Sequence, residues 1–276
     1  INADAFWWEQ WWAKVILIGL AILLLYGLVL LRTKTLEAQN ARLEHIVKER
    51  TSAYENVNRQ LEEKNVVLKH AANTDLLTGL NNRRAIKEFL PGLLDLINRR
   101  LDKGNQHDVV CAIFLLDLDN FKRINDSFGH DKGDEVLISA ANAIKHVSRA
   151  DDCLLRWGGE EFLFIVPSIL MSDIATLNKR IHGALANIHI SLELPTPITF
   201  SAGATYIPWG EGAVDITTWQ RSLLLVDWAL YKVKNTGRNN TYFVEPTVSL
   251  NHWLHWSQDG IDKAEHEALL SVKPLL

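Results

Sequence analysis

Two short stretches of the chain hold side chains dense enough to do chemistry. The first runs Asp117-Leu118-Asp119-Asn120-Phe121-Lys122-Arg123-Ile124-Asn125, and the second Arg156-Trp157-Gly158-Gly159-Glu160-Glu161-Phe162. Asp117 closes an apolar run; Glu160 and Glu161 follow a Gly-Gly pair that marks a hairpin tip. In an antiparallel sheet that hairpin can lie beside the apolar strand, which sets Asp117 opposite Glu160 or Glu161 across a short gap. Clustered carboxylates with little basic compensation repel one another unless a cation sits among them. Carboxylates are hard donors, so the expected ion is Mg2+ or Mn2+. Mg2+ rarely has a full protein cage and shares its shell with water and substrate phosphates. Two glycines at the tip let a phosphate approach the backbone with no Cβ in the way. This chemistry is that of metal-assisted nucleotidyl transfer, in its one- or two-metal form. A solvated acidic turn is the alternative reading of the same residues.

The hydrophobic pattern outlines the elements that must position these groups. Residues 109–117 (VVCAIFLLD) form a continuous apolar run, expected as a buried strand. Before it, Asn73-Thr74-Asp75 offers capping residues, Gly79 and Asn81-Asn82 break a helix, and an amphipathic helix is expected over 82–101. Helical spacing of Val136, Leu137, Ala140, Ile144 and Val147 predicts a helix over 133–148. Strands are expected at 153–157 and 162–166, a helix at 172–187, a strand at 198–206, a helix at 219–235 and a strand at 241–245. That order predicts an α+β sandwich, with helices packed on a mainly antiparallel sheet. Residues 246–276 follow as a tail with Trp253 and Trp256 but no chemistry legible in them. Phe121 and Phe128 are expected in a pocket wall or the core.

Composition narrows the class. The 276 residues are 47% hydrophobic and 22% charged, which excludes wholesale disorder. A net charge of −4 lacks the basic excess of a general nucleic-acid binder. Two cysteines, Cys111 and Cys153, exclude a disulfide framework and a four-Cys zinc site. Four of the ten tryptophans fall in the first dozen residues, ahead of seventeen uncharged residues from Val15 to Leu31. Extended back to Trp11, that run reaches the roughly 20 residues needed to cross a bilayer. It lacks the small-residue cleavage site of a signal peptide, and the tryptophans suit an interfacial belt. Arg32, Lys34, Arg42, Lys48 and Arg50 follow it, which places the C-terminal side in the cytoplasm. The expected layout is a periplasmic juxtamembrane segment over 1–14 and a helix through the inner membrane over 15–31. The chain starts at Ile1 rather than Met, as a fragment or processed product would.

Residues 32–72 are charged and lack Gly and Pro. Taking Leu36 as position a, the a/d series is Leu36, Asn40, Leu43, Val47, Arg50, Tyr54, Val57, Leu61, Lys64, Leu68, apolar at seven of ten positions. That pattern predicts a coiled coil, expected as a parallel dimer, in which the polar a/d residues set register. A single solvated helix is the alternative.

Five ordered motifs then carry a resemblance. They are Asp75-Leu76-Leu77-Thr78-Gly79-Leu80-Asn81-Asn82-Arg83-Arg84, the Asp117 stretch, Phe128-Gly129-His130-Asp131-Lys132-Gly133-Asp134, the Arg156–Phe162 stretch, and Lys234-Asn235-Thr236-Gly237-Arg238-Asn239. The region 73–245 resembles a GGDEF-domain diguanylate cyclase in its GGEEF form, with a palm-like nucleotide-cyclase fold. The resemblance implies condensation of two GTP into cyclic di-GMP and two pyrophosphates by a homodimer. It implies that Asp117, the carbonyl of Leu118, Glu160 and Glu161 hold Mg2+ (or Mn2+), with either glutamate as ligand or base. It assigns guanine recognition to Asn125 and Asp134, the phosphate turn to Gly158 and Gly159, and triphosphate contacts to Lys122, Lys234 and Arg238, with Phe121 beside them. A carboxylate accepts from guanine N1–H and N2–H, and an amide donates to O6, so the chemistry agrees. Arg149 and Asp152 match the family's RxxD site for inhibitory cyclic di-GMP, with Arg180 as a second arm. Signal control through the membrane helix and the coiled coil follows as an expectation. Trp157 and Glu160 stand where tyrosine and aspartate are commoner in the family. A non-catalytic cyclic di-GMP receptor and a membrane-bound scaffold are the competing functions.

Overall fold

The computed structural model describes residues 11–102, 108–188, 194–209, 213–246, 258–267 and 269–276. Contacts divide the chain into an N-terminal unit through Leu68 and a C-terminal unit from Lys69. The N-terminal unit is helical: α1 runs continuously over Trp11–Asn73. Its apolar stretch has a mean hydropathy of 2.7, and by length and composition this is one helix able to cross a membrane. Further along α1, Leu36, Leu43, Val47, Tyr54, Val57, Leu61 and Leu68, all from the a/d series, are exposed.

In the C-terminal unit the order is β1 (Asn81–Asn82), α2 (Ile86–Asp102), β2 (Val109–Leu118), α3 (Phe121–Phe128), α4 (His130–Val147), β3 (Cys153–Arg156), β4 (Glu161–Leu170), α5 (Ile174–Ala186), β5 (Phe200–Ile207), α6 (Ile216–Asn235), β6 (Thr241–Pro246), α7 (Gln258–His266) and β7 (Leu270–Pro274). The sheet order is β1-β3-β4-β2-β5-β6-β7. Neighbours pair antiparallel except β1 with β3 and β5 with β6, so the α+β expectation with a mainly antiparallel sheet holds.

Central β2 is covered on both faces, which is why its sequence is apolar without alternation. Its pleat still separates two cores. Ala112, Phe114, Leu116 and Leu118 join Val136, Leu137 and Ile144 of α4 and Ile181 of α5. Cys111, Ile113 and Leu115 join Leu93 and Ile97 of α2 and Val226 and Leu230 of α6. Asp117 continues the second row, so it emerges on the α6 side of the sheet. Close packing of α6 on β5 depends on Gly203: a Cβ there would sit 1.9 Å from the Val226 carbonyl oxygen.

β1, α3, α7 and β7 go beyond the sequence expectation. Helix α3 precedes α4, and Gly129 at φ +87° breaks the helix between them. Residues 258–267 and 269–276 of the tail also join the fold, whereas Trp253 and Trp256 lie outside the described residues. β7 extends the sheet beside β6, and Ile261 and Ala264 of α7 pack with Leu225, Trp228 and Val244. Trp228 Nε1 donates to Asp262 Oδ1 at 2.8 Å, and Lys232 pairs with Glu265.

Candidate active site

The acidic cluster is built by strand register. Asp117 on β2 lies opposite Glu161 on β4 and Ser201 on β5. Leu118 N donates to the Glu160 carbonyl at 3.3 Å, which sets the Leu118 backbone beside the first glutamate. Trp157 N donates to the Glu161 carbonyl at 2.8 Å and closes the hairpin over Gly158-Gly159. A Cβ on Gly158 would lie 2.9 Å from Glu161 Oε2, so a side chain there would displace that carboxylate. Lys234, in the last turn of α6, places Nζ 2.7 Å from Asp117 Oδ2. Burial pushes Asp117 up to about 6; Lys234 opposes this, and the charges of Glu160 and Glu161 add to it. Burial also raises Glu161, with Lys234 opposing and Asp227 and Glu160 reinforcing the rise.

A second layer fixes the hairpin tip. Arg156 Nε and Nη2 donate to the Gly159 carbonyl at 3.1 and 2.9 Å. Its Nη1 donates to both oxygens of Asp75, at 3.0 and 3.1 Å. Asp75 also accepts from Thr78 N and Oγ1 at 2.9 and 2.7 Å. Burial alone would raise its pKa, but the Thr78 bonds and Arg156 outweigh burial and hold the carboxyl low. The Arg83 guanidinium lies 4.6 Å from the centre of the Trp157 ring, within cation–π range. Sequence reasoning quoted Asp75, Arg83 and Arg156 only as motif members; the structure makes them the brace between the end of α1 and the Gly-Gly turn.

Asn125 sits on α3, and its side chain fills the space over Gly133 of α4. A Cβ on Gly133 would lie 1.8 Å from Asn125 Oδ1 and 3.2 Å from Phe121 Cζ. Phe121 is buried beside them. Asp134, next to Gly133, is exposed in the second turn of α4, and Lys122 is exposed on α3. Phe128, expected in a pocket wall or the core, is exposed: it ends α3, just before Gly129 breaks the helix at φ +87°. Arg238 is exposed on the loop after α6 and adopts φ +64°.

Beside α4 and α5, Arg149, Asp152 and Arg180 line one cavity of about 180 Å³ with Val147, Ile169 and Thr176. Asp152 Oδ2 accepts from Arg149 N at 2.7 Å, and Arg180 Nη2 donates to the Val147 carbonyl at 3.1 Å. Burial raises the Asp152 pKa; Arg149 opposes it.

Fold and site together define an α+β domain whose acidic cluster joins a central strand end to a hairpin tip. The chain belongs to the family of diguanylate cyclase, GGDEF domains, whose profile matches residues 72–240. DgcM, a diguanylate cyclase of Escherichia coli K12, is 36% identical over 176 residues, covering 62% of this chain and 38% of DgcM. The response regulator PleD of Caulobacter vibrioides is 38% identical over 170 residues, 60% of this chain and 35% of PleD. The chain thus spans well under half the length of these relatives. A crystal structure of the coiled coil and GGDEF domain of DgcB from Caulobacter crescentus, in complex with c-di-GMP, superposes with a TM-score of 0.52. It shares 29% identity and covers 72% of this chain and 97% of that one.

Proposed function

We propose that the protein is a diguanylate cyclase that condenses two GTP into cyclic di-GMP and two pyrophosphates. The observation that carries this reading is the cross-strand pairing of Asp117 with Glu161 beside Gly158-Gly159, with the Lys234 ammonium already drawn to Asp117. Among the described residues no three ligating side chains converge into a ready-made cage. The donor set still fits Mg2+ or Mn2+: Asp117, Glu160 and Glu161 offer hard oxygens, the Leu118 carbonyl adds another, and phosphates and water complete such a shell. The upward shifts of Asp117 and Glu161 mark a cluster in want of positive charge. When bound, divalent cations polarise the α-phosphate and offset charge on the leaving pyrophosphate.

The chain's own residues supply the rest. Asn125 donates to guanine O6 and Asp134 accepts from N1–H and N2–H, which leaves adenine mismatched. Gly158 and Gly159 admit the phosphates, while Lys122, Lys234 and Arg238 neutralise them. In each half-reaction the 3′-oxygen of one GTP bonds to the α-phosphorus of the other and the α–β bridge breaks. The hydroxyl proton passes to a glutamate at the hairpin, and pyrophosphate departs. One domain holds one GTP, so two domains must face each other. The exposed apolar row on α1 supports pairing into a parallel coiled coil, and its apolar stretch supports anchorage in the inner membrane. Signals crossing that helix would set the encounter of the two domains. Arg149, Asp152 and Arg180 are proposed to bind product cyclic di-GMP and hold the domains apart.

Incubation of the protein with GTP and Mg2+, followed by chromatography, tests the reading. Cyclic di-GMP from wild type and none from Asp117→Asn supports it. Binding of cyclic di-GMP without turnover would turn the assignment to a receptor.

A further inference from the structure

Asp119 is buried two residues beyond the proposed metal ligand Asp117, and it lies outside the carboxylate cluster. Its oxygens are consumed by another task. Oδ1 accepts from Ser201 Oγ at 2.6 Å; Oδ2 accepts from Thr199 Oγ1 at 2.8 Å and from the backbone N–H of Asn239 at 2.9 Å. Asp119 N in turn donates to the Thr199 carbonyl at 2.9 Å. The side chain therefore clamps the loop after α6 onto the end of the sheet. That loop is conformationally costly: Gly237, Arg238 and Asn239 adopt φ of +122°, +64° and +46° in succession. Non-glycine residues hold such angles only where their surroundings impose them. Around it, Arg238 N donates to the Val233 carbonyl at 3.0 Å, and Ala202 N donates to the Asn240 carbonyl at 2.9 Å. Between these anchors Arg238 is exposed, four residues beyond Lys234, which pairs with Asp117.

We propose that Asp119 is a positioning residue for substrate binding: by fixing the left-handed turn at Asn239, it aims Arg238 at the GTP triphosphate. The two aspartates of the Asp-Leu-Asp sequence then divide the work. Asp117 addresses the cation and Asp119 the arginine. The inference rests on the reading of Arg238 as a phosphate contact, and a double-mutant cycle separates the two. Binding of a GTP analogue with a methylene bridge between α- and β-phosphates is measured, with Mg2+, on the full chain. Wild type, Arg238→Ala, Asp119→Ala and the double variant are compared.

The expected result is a loss of about tenfold or more for each single variant, with the double variant no weaker than Arg238→Ala alone. Asp119→Asn keeps an acceptor for Asn239 N and a donor that Ser201 can receive, so it should bind within about threefold of wild type. Independent, multiplying losses would overturn the inference while leaving Arg238 a phosphate contact. No loss in Arg238→Ala would overturn the phosphate reading itself. Should Asp119→Ala fail to fold, Thr199→Val removes one clamp from outside the core, and the same cycle with Arg238→Ala decides the question.

Discussion

Gly133→Ala separates recognition from folding. An added Cβ would lie 1.8 Å from Asn125 Oδ1. To reach ordinary contact the amide must retreat by roughly 1.6 Å, enough to break a hydrogen bond of normal length. Asn125 is a terminal amide on a short helix, so it can rotate away without moving the backbone. Phe121 Cζ, at 3.2 Å, needs only a small adjustment. Alanine in place of glycine within a helix returns up to about 1 kcal/mol, so net stability should change by less than about 1 kcal/mol. Loss of the proposed Asn125 contact to guanine O6, worth about 1–2 kcal/mol, should weaken GTP-analogue binding by about five- to thirtyfold. Titration calorimetry and thermal melting measure the two effects on one preparation. Preference for GTP over ATP should shrink in parallel, and Gly133→Ala combined with Asn125→Ala should bind no worse than Asn125→Ala alone. Wild-type affinity in Gly133→Ala, with impaired binding in Asn125→Ala, would refute the steric reasoning. Loss of the cooperative melt would refute the claim that the clash is relieved locally.

Other expectations follow from the same geometry. His182 stacks on Phe200 at 3.8 Å between centroids, and burial pushes its pKa from 6.5 down to about 4, against the pull of Asp119. Its folded pKa lies below the unfolded one, so this stabilisation is complete above pH 6.5 and is lost as pH falls towards 4. The loss is on the order of 3 kcal/mol, and urea midpoints at pH 7.5 and 4.5 should show a smaller loss in His182→Gln than in wild type. Gly203→Ala should cost about 3 kcal/mol or more, because the clash is with the Val226 and Leu230 backbone of α6, at 1.9 and 2.8 Å; melting temperature reads it. Arg156→Ala leaves partly buried Asp75 without its guanidinium and should cost about 1–3 kcal/mol, whereas adding Asp75→Asn should recover part of that in the same melting assay. Insertion of one to four residues near Glu55 should change cyclase activity with helical phase; equal activity at every length would defeat coupling through α1.

The strands and the acidic residues were legible because the sequence signal of each is local. Val109 to Asp117 is an unbroken apolar run, Gly158-Gly159 is an unmistakable turn, and a period of two places Asp117 on a definite face. Contacts between distant elements left no such trace. Lys234 meets Asp117, and Asn239 meets Asp119, only after α6 has packed on β5 through Gly203. Helix α3 escaped because Asn120 enters it at φ +57° and Gly129 leaves it at +87°, so its eight residues are too few for a clear period. The tail escaped for a related reason. Ile261 and Ala264 are the buried apolar residues of α7, and their partners Leu225 and Trp228 lie on the outer side of α6.

That outer packing bears on the site. α6 presents Val226 and Leu230 to the sheet and Leu225 and Trp228 to the tail, and it ends at Lys234 beside Asp117. Lys232 lies over the Trp228 ring and pairs with Glu265 of α7, so the last turn of α6 is held from the tail side as well. The position of the Lys234 ammonium is therefore set by packing on both sides of one helix. Burial gives the Asp117 carboxylate an elevated pKa, and that ammonium is the cation nearest to relieve it. On the proposed function, Asp117 would hold a divalent ion when GTP binds, and the triphosphate would offer Lys234 a negative partner in its place. Such an exchange of partners would need only a rotation of the lysine side chain at the end of a doubly packed helix.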